Sequence, residues 1–97
     1  ISIEKIVEKM CHNPSILFQV EKRGYIKEGY FADLVLVDLN NPWTVNKDNI
    51  LYKCGWSPFE GTSFKSRITH NFLNGSLVYN NAKFSDVKAA KRLTFNR

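Results

Sequence analysis

The 97-residue sequence has little cysteine, proline or glycine, with two, three and five of each. Two cysteines, Cys11 and Cys54, cannot build the disulfide framework of a small secreted module; such usage suits a reducing compartment, and a cytoplasmic location is expected. No apolar run approaches the ~18–20 residues that a membrane span needs, and no basic region leads into an apolar stretch at the N-terminus, so no membrane partner is expected. Internal repeats, low-complexity stretches and a linker long enough to divide the chain are all missing. What is there is an ordinary globular composition, 43% hydrophobic, 13% aromatic and 24% charged, which argues against intrinsic disorder, a collagen-like chain and a coiled coil. The length suits one small domain with one core at most.

A net charge of +5 raises the question of nucleic acid, because Lys and Arg neutralise phosphates. The basic residues are spread along the chain, with Lys22-Arg23 and Lys91-Arg92 as the adjacent pairs, and no arginine-rich run is interleaved with aromatics. A solvated basic surface is therefore preferred, and a free-standing RNA-binding module is kept as the rival.

Ile3, Ile6, Val7 and Met10 recur at the spacing of one helical face, with Ser2 as N-cap, predicting a helix over residues 3–12. Asn13-Pro14 is expected to cap and start a second, short helix. Tyr25-Ile26-Lys27 reads as a short extended stretch. Leu34-Val35-Leu36-Val37, bracketed by Asp33 and Asp38, is continuous rather than alternating, as in a strand covered on both faces, so residues 32–38 are placed in the interior of a sheet. Trp43-Thr44-Val45 suggests another short strand, and 46–62 reads as mostly irregular. Asn74-Gly75 predicts a type I′ hairpin that sets Phe72 opposite Leu77 and His70 opposite Tyr79. A second turn at Asn80-Asn81 would return the chain through Lys83-Phe84. The tail beyond Ser85 is expected to be irregular and exposed, pinned by Leu93 and Phe95.

Chemistry-bearing residues do not assemble into a recognisable site, and no catalytic, cofactor-binding or metal-binding residue is assigned. Cys11-His12 and Cys54…His70 lack the paired spacing that preorganises zinc ligands. His12 reads as a helix-terminal residue, and His70 as a hairpin residue with an ordinary hydrogen-bond partner. Cys54 has no base nearby to activate it and reads as a small buried residue. Asp33 and Asp38, five apart, would lie on opposite faces of a strand ~16 Å apart, too far for joint acid–base work; bonding to turn backbone is the expected role. Gly24…Gly29 lacks the strand-to-helix context of a phosphate-binding loop. Trp56-Ser57-Pro58-Phe59-Glu60-Gly61 puts two aromatics on a loop suited to docking or to lining a pocket.

The stretch Arg23-Gly24-Tyr25-Ile26-Lys27-Glu28-Gly29-Tyr30-Phe31-Ala32-Asp33-Leu34-Val35-Leu36-Val37-Asp38 resembles a segment near the C-terminus of amidohydrolase-superfamily enzymes. Asn13-Pro14-Ser15 before it and Phe72-Leu73-Asn74-Gly75 after it resemble flanking segments of that family, in the same order. Asn41-Pro42-Trp43-Thr44-Val45 and the run from Tyr52 to Gly61 are most similar to the dihydroorotases of its hydantoinase-like group, with another cyclic amidohydrolase, an allantoinase or a hydantoinase, as the alternative. The resemblance implies an α+β fragment. Residues 1–21 would be the terminal helices of a (β/α)8 barrel, and 22–97 the mainly antiparallel C-terminal share of a composite β-sandwich, with an exposed tail. It further implies a longer parent that opens a cyclic amide with zinc held by residues outside this segment, an inactive segment with no cofactor of its own, and the rest of the parent as its partner. Self-association through uncovered edges is a further expectation.

Overall fold

A computed structural model describes residues 1–97. Ser2 is extended, and its hydroxyl accepts the Lys5 N–H at 3.2 Å, starting α1 over Ile3–Val7. The ladder then widens into a π-helix over Glu8–His12, where the Asn13 N–H donates to the Glu8 carbonyl, before α2 runs over Asn13–Leu17. The expected break at Asn13 does not occur. Asn13 is itself helical (φ −61°, ψ −44°), and no side chain caps α2. Pro14 supplies the reason: it has no N–H for an ordinary helical bond and its ring presses on the preceding turn, and the wider π spacing accommodates both without breaking the helix. The helix ends at Leu17, and the chain turns away at Gln19, where φ becomes +54°.

The strands are β1 (Leu34–Asp38), β2 (Trp43–Thr44), β3 (Ser63–Phe64), β4 (Arg67–Leu73), β5 (Ser76–Asn80) and β6 (Lys83–Phe84). β1, β4, β5 and β6 form a four-stranded antiparallel sheet in the order β1-β4-β5-β6, while β2 and β3 pair separately. Tyr25-Ile26-Lys27 stays outside both sheets. Asn74 (φ +49°) and Gly75 (φ +83°) make the expected hairpin turn, with Phe72 opposite Leu77. Beyond that pair a bulge skips Val78, so Tyr79 meets Asn71, and His70 meets Asn80 rather than Tyr79. One extra residue in a strand shifts every later pairing. The next turn falls at Asn81 and Ala82 (φ +46° and +71°), one residue later than expected.

β1 is an edge strand, not an interior one. Its aliphatic run could face cover on both sides, yet β4 is its sole neighbour, and Val35, Leu36 and Val37 remain 51%, 49% and 50% exposed. The whole chain shares this openness, for only Val45 and Arg23 are buried. Its accessible surface is 8122 Å², against about 5,700 Å² expected of a compact monomer of this mass. Its radius of gyration is 15.6 Å, against about 12.5 Å for a compact chain of this length. The apolar stripe Ile3, Ile6, Val7 and Met10 also lies exposed.

Val45 centres a small satellite cluster. Its N–H donates to the Thr62 carbonyl at 2.9 Å, and its carbonyl accepts the Gly61 N–H at 2.8 Å. Trp43 packs on Phe64 (5.6 Å between ring centroids) and donates its indole N–H to the Ser66 carbonyl at 3.0 Å. Asn46 and Asn49 cap the 3-10 turn at Lys47–Asn49 reciprocally.

Candidate functional site

The most connected polar site lies where the helical segment, the glycine-punctuated loop and the hairpin converge. The Arg23 guanidinium forms an ion pair through Nη1 with Asp33 Oδ2, and Nη1 also donates to Asn74 Oδ1 at 3.1 Å. The other Asp33 oxygen accepts the Asn74 N–H at 2.9 Å, and Asn74 Nδ2 donates to the Ala89 carbonyl at 2.5 Å. Phe31 lies beneath the guanidinium, its ring centroid 4.2 Å from Cζ. The Ser15 hydroxyl donates to the Arg23 carbonyl at 2.7 Å, bringing α2 into the cluster. Arg23, Asp33 and Asn74 thus tie together four separate stretches of chain. Arg23 Nε and Nη2 find no acceptor within the chain.

Local sequence builds this clamp. Gly24 has φ +87°, and a Cβ there would sit 2.6 Å from Ser15 Cβ and 2.7 Å from the Cys11 carbonyl, so the loop can approach the helix only with hydrogen at that position. Gly29 (φ +81°) occupies the third position of a turn closed by the Tyr30 N–H on the Lys27 carbonyl at 3.1 Å, where a positive φ favours glycine. The Ala32 carbonyl accepts the Gly75 N–H at 3.0 Å, and β1 begins two residues later. What this cluster can do chemically is hold elements in register.

The remaining sequence candidates are scattered. His12 stacks on Tyr25, 4.1 Å between centroids and 5° from coplanar, while His70 Nδ1 lies 2.9 Å from the Thr69 hydroxyl. Cys54 is exposed rather than buried, because the loop that carries it does not fold back over it; its thiol faces the Trp56 carbonyl at 3.7 Å. Asp38 bonds turn backbone as expected, accepting the Asn40 N–H at 3.0 Å. Asp33 does so too, at the distant hairpin turn, but its ion pair with Arg23 was not foreseen. Trp56 and Phe59 are mostly exposed and line no enclosed pocket, although Phe59 meets Phe64 edge-on at 6.3 Å. No three His, Cys, Asp or Glu side chains converge as metal ligands, so the residues of this chain do not fit the zinc that the resemblance implies. No helix is long and apolar enough to cross a membrane.

A broad open groove of about 1130 Å³ separates the main sheet from the β2–β3 cluster, lined by Trp43, Phe64, Ile68, Leu73 and Phe84 among others. Residues 87–90 of the tail run along it. The tail is then pinned where Val20 and Phe95 form an antiparallel bridge. There the Glu21 N–H donates to the Thr94 carbonyl at 2.9 Å, and the Asn96 N–H to the Gln19 carbonyl at 2.8 Å.

The sequence pattern of the amidohydrolase family matches residues 1–78, which include the helices, the clamp and most of the sheet. The chain belongs to the amidohydrolase family. This amidohydrolase segment is 38% identical over 78 residues to the dihydroorotase of Pyrococcus furiosus, covering 80% of the chain and 19% of that relative. It is 30% identical over 89 residues to an allantoinase of Desulfitobacterium hafniense, covering 92% of the chain and 20% of the relative. Among solved structures it superposes on an L-hydantoinase (dihydropyrimidinase) from Arthrobacter aurescens with a TM-score of 0.78 and 27% identity, over 88% of this chain and 19% of that one. The chain therefore spans about a fifth of the length of these relatives.

Proposed function

We propose that this chain is the C-terminal structural segment of a dihydroorotase. The whole protein would interconvert dihydroorotate and N-carbamoyl-L-aspartate in pyrimidine biosynthesis, in the cytoplasm, with zinc held by residues outside 1–97. The observation that carries this reading is the 38% identity to a dihydroorotase over 78 residues, 80% of the chain. Residues 1–21 are the terminal helices of its barrel, and 22–97 contribute strands to the sandwich. The exposed stripe of α1 and the surplus of accessible surface support this scaffold role, because both are areas that a larger body would cover. The chain's own residues hold this piece in shape: Arg23 and Asp33 join helix to hairpin, and the Val20–Phe95 bridge anchors the tail. An allantoinase is the second reading, favoured by the longer 89-residue match.

The test has two arms. The complete reading frame that contains this segment is purified and offered dihydroorotate, allantoin and hydantoin; opening of the dihydroorotate ring is expected, and preference for another ring overturns the assignment. The 97-residue chain is incubated with zinc and dihydroorotate, and no turnover above a zinc-only control is expected. Turnover abolished by His12→Ala or His70→Ala overturns the scaffold role.

A further inference from the structure

We infer that Asn74 is a site of spontaneous chemical modification: its side-chain amide latches the tail onto the clamp, and its conversion to aspartate or isoaspartate releases the tail. This holds whichever cyclic amide the whole protein opens, because every contact involved lies within this chain. Three stretches of chain meet on Asn74. Its N–H donates to Asp33 Oδ1, its Oδ1 accepts from Arg23 Nη1, and its Nδ2 donates to the Ala89 carbonyl. The last of these is the hydrogen bond that joins the clamp to the tail, where the Lys91 ammonium also lies 5.8 Å from the centre of the Phe31 ring. An amide suits this position because one end accepts and the other donates. A carboxylate accepts at both ends.

Asn74 also begins the one Asn-Gly step in the sequence. Glycine leaves the nitrogen that follows Asn74 unshielded by a side chain, and Gly75 is exposed. The reaction needs only water. The Gly75 nitrogen, its proton lost to solvent, attacks Asn74 Cγ; the bond from Cγ to Nδ2 breaks, and ammonia leaves with a proton from water. Water then opens the cyclic imide at either carbonyl, giving aspartate or isoaspartate. The sum is one water consumed and one ammonia released, with no change of oxidation state. In the closed structure two bonds oppose this, because the Ala32 carbonyl holds the Gly75 N–H at 3.0 Å and Ala89 holds Nδ2 at 2.5 Å. The step therefore proceeds through local opening, in which the tail lifts from Nδ2 and the turn frees the Gly75 nitrogen. The Arg23 guanidinium, already on Oδ1, meets the negative charge that develops there during attack. Aspartate at this position keeps an acceptor for Arg23 but loses the donor to Ala89 and sets one oxygen against another, so the tail does not reseat.

The experiment uses the complete reading frame that contains this segment, held in mildly alkaline buffer beside a synthetic peptide of residues 71–78. Peptide mapping is expected to find aspartate and isoaspartate at Asn74, formed more slowly than in the free peptide, and about fivefold or more faster once residues 87–97 are deleted. Asn74→Asp tests the latch without a deletion, since aspartate tolerates the φ of +49° as asparagine does. Hydrogen exchange is then expected to quicken over residues 86–97 and at the Glu21 amide, while the Asn74 and Gly75 amides keep their protection. No product at Asn74 by the time the free peptide is fully converted overturns the site. Equal rates in protein and peptide overturn the gating by the tail, and unchanged exchange of the tail in Asn74→Asp overturns the latch.

Discussion

Arg23 and Asp33, ten residues apart in sequence, form an ion pair whose second carboxylate oxygen accepts the backbone N–H of Asn74, 41 residues further on. The hairpin turn is therefore held by a charge pair set at the two ends of a loop before β1. Asp33→Asn keeps the shape and removes the charge, leaving a buried guanidinium without its counter-ion. We expect a loss of about 1–3 kcal/mol, below the figure for full burial because the Asp33 side chain is 31% exposed. Urea melts of the two proteins check this. Arg23→Lys is expected to cost a similar amount, since an ammonium cannot both stack on Phe31 and reach Asp33 and Asn74.

Gly24→Ala and Gly29→Ala separate close approach from backbone conformation. Both glycines have positive φ, but a Cβ at Gly29 meets nothing within 4 Å, whereas one at Gly24 collides with Ser15 and the Cys11 carbonyl. Gly29→Ala is expected to cost about 1–2 kcal/mol, and Gly24→Ala clearly more, because helix and loop must move apart. Equal shifts in melting midpoint would contradict the assigned contact.

Gly75→Val puts a β-branched residue at φ +83° in the β4–β5 turn. A loss of about 1 kcal/mol or more is expected, with faster hydrogen exchange concentrated at the Phe72–Leu77 end of the hairpin. An unchanged midpoint counts against the turn.

Deleting residues 91–97 removes the partners of Gln19, Val20 and Glu21 while leaving the four-stranded sheet intact. The expected outcome is a drop in melting temperature with faster exchange at the Glu21 amide and no change in the amides that pair β4 with β5. Amide exchange read by NMR distinguishes this local loss from a global one.

Much of the fold was legible because its signals are local. Ser2 caps α1, Asn74-Gly75 turns the hairpin, and Asp38 bonds the next turn, each through residues only a few positions away. The register beyond Phe72 was not legible, because a bulge at Val78 follows from strand twist and packing rather than from any residue that marks it. The edge position of β1 escaped for a different reason. Its unbroken aliphatic run states that both faces are apolar, but not how many neighbours are present to cover them. The clamp was half visible. Arg23 and Asp33 both stand in the quoted family segment, yet no spacing rule brings an arginine before a glycine loop onto a carboxylate after it. Only the shape of that loop, fixed by Gly24 and Gly29, brings the two charges together.

The bridge between Val20 and Phe95 has a consequence for the order in which the molecule assembles. Thr94 and Glu21, which bond beside it, are 73 residues apart, whereas Ser15 and Arg23 are 8 apart. Closing the longer loop costs about 2 kcal/mol more chain entropy if nothing inside it has yet formed. Once the hairpin and the clamp have shortened the path between the two ends, most of that cost is already met. The tail contact is thus a late event in folding and an early one in unfolding, and its partners, the exposed Gln19 and the half-buried Glu21, are where the chain first lets go.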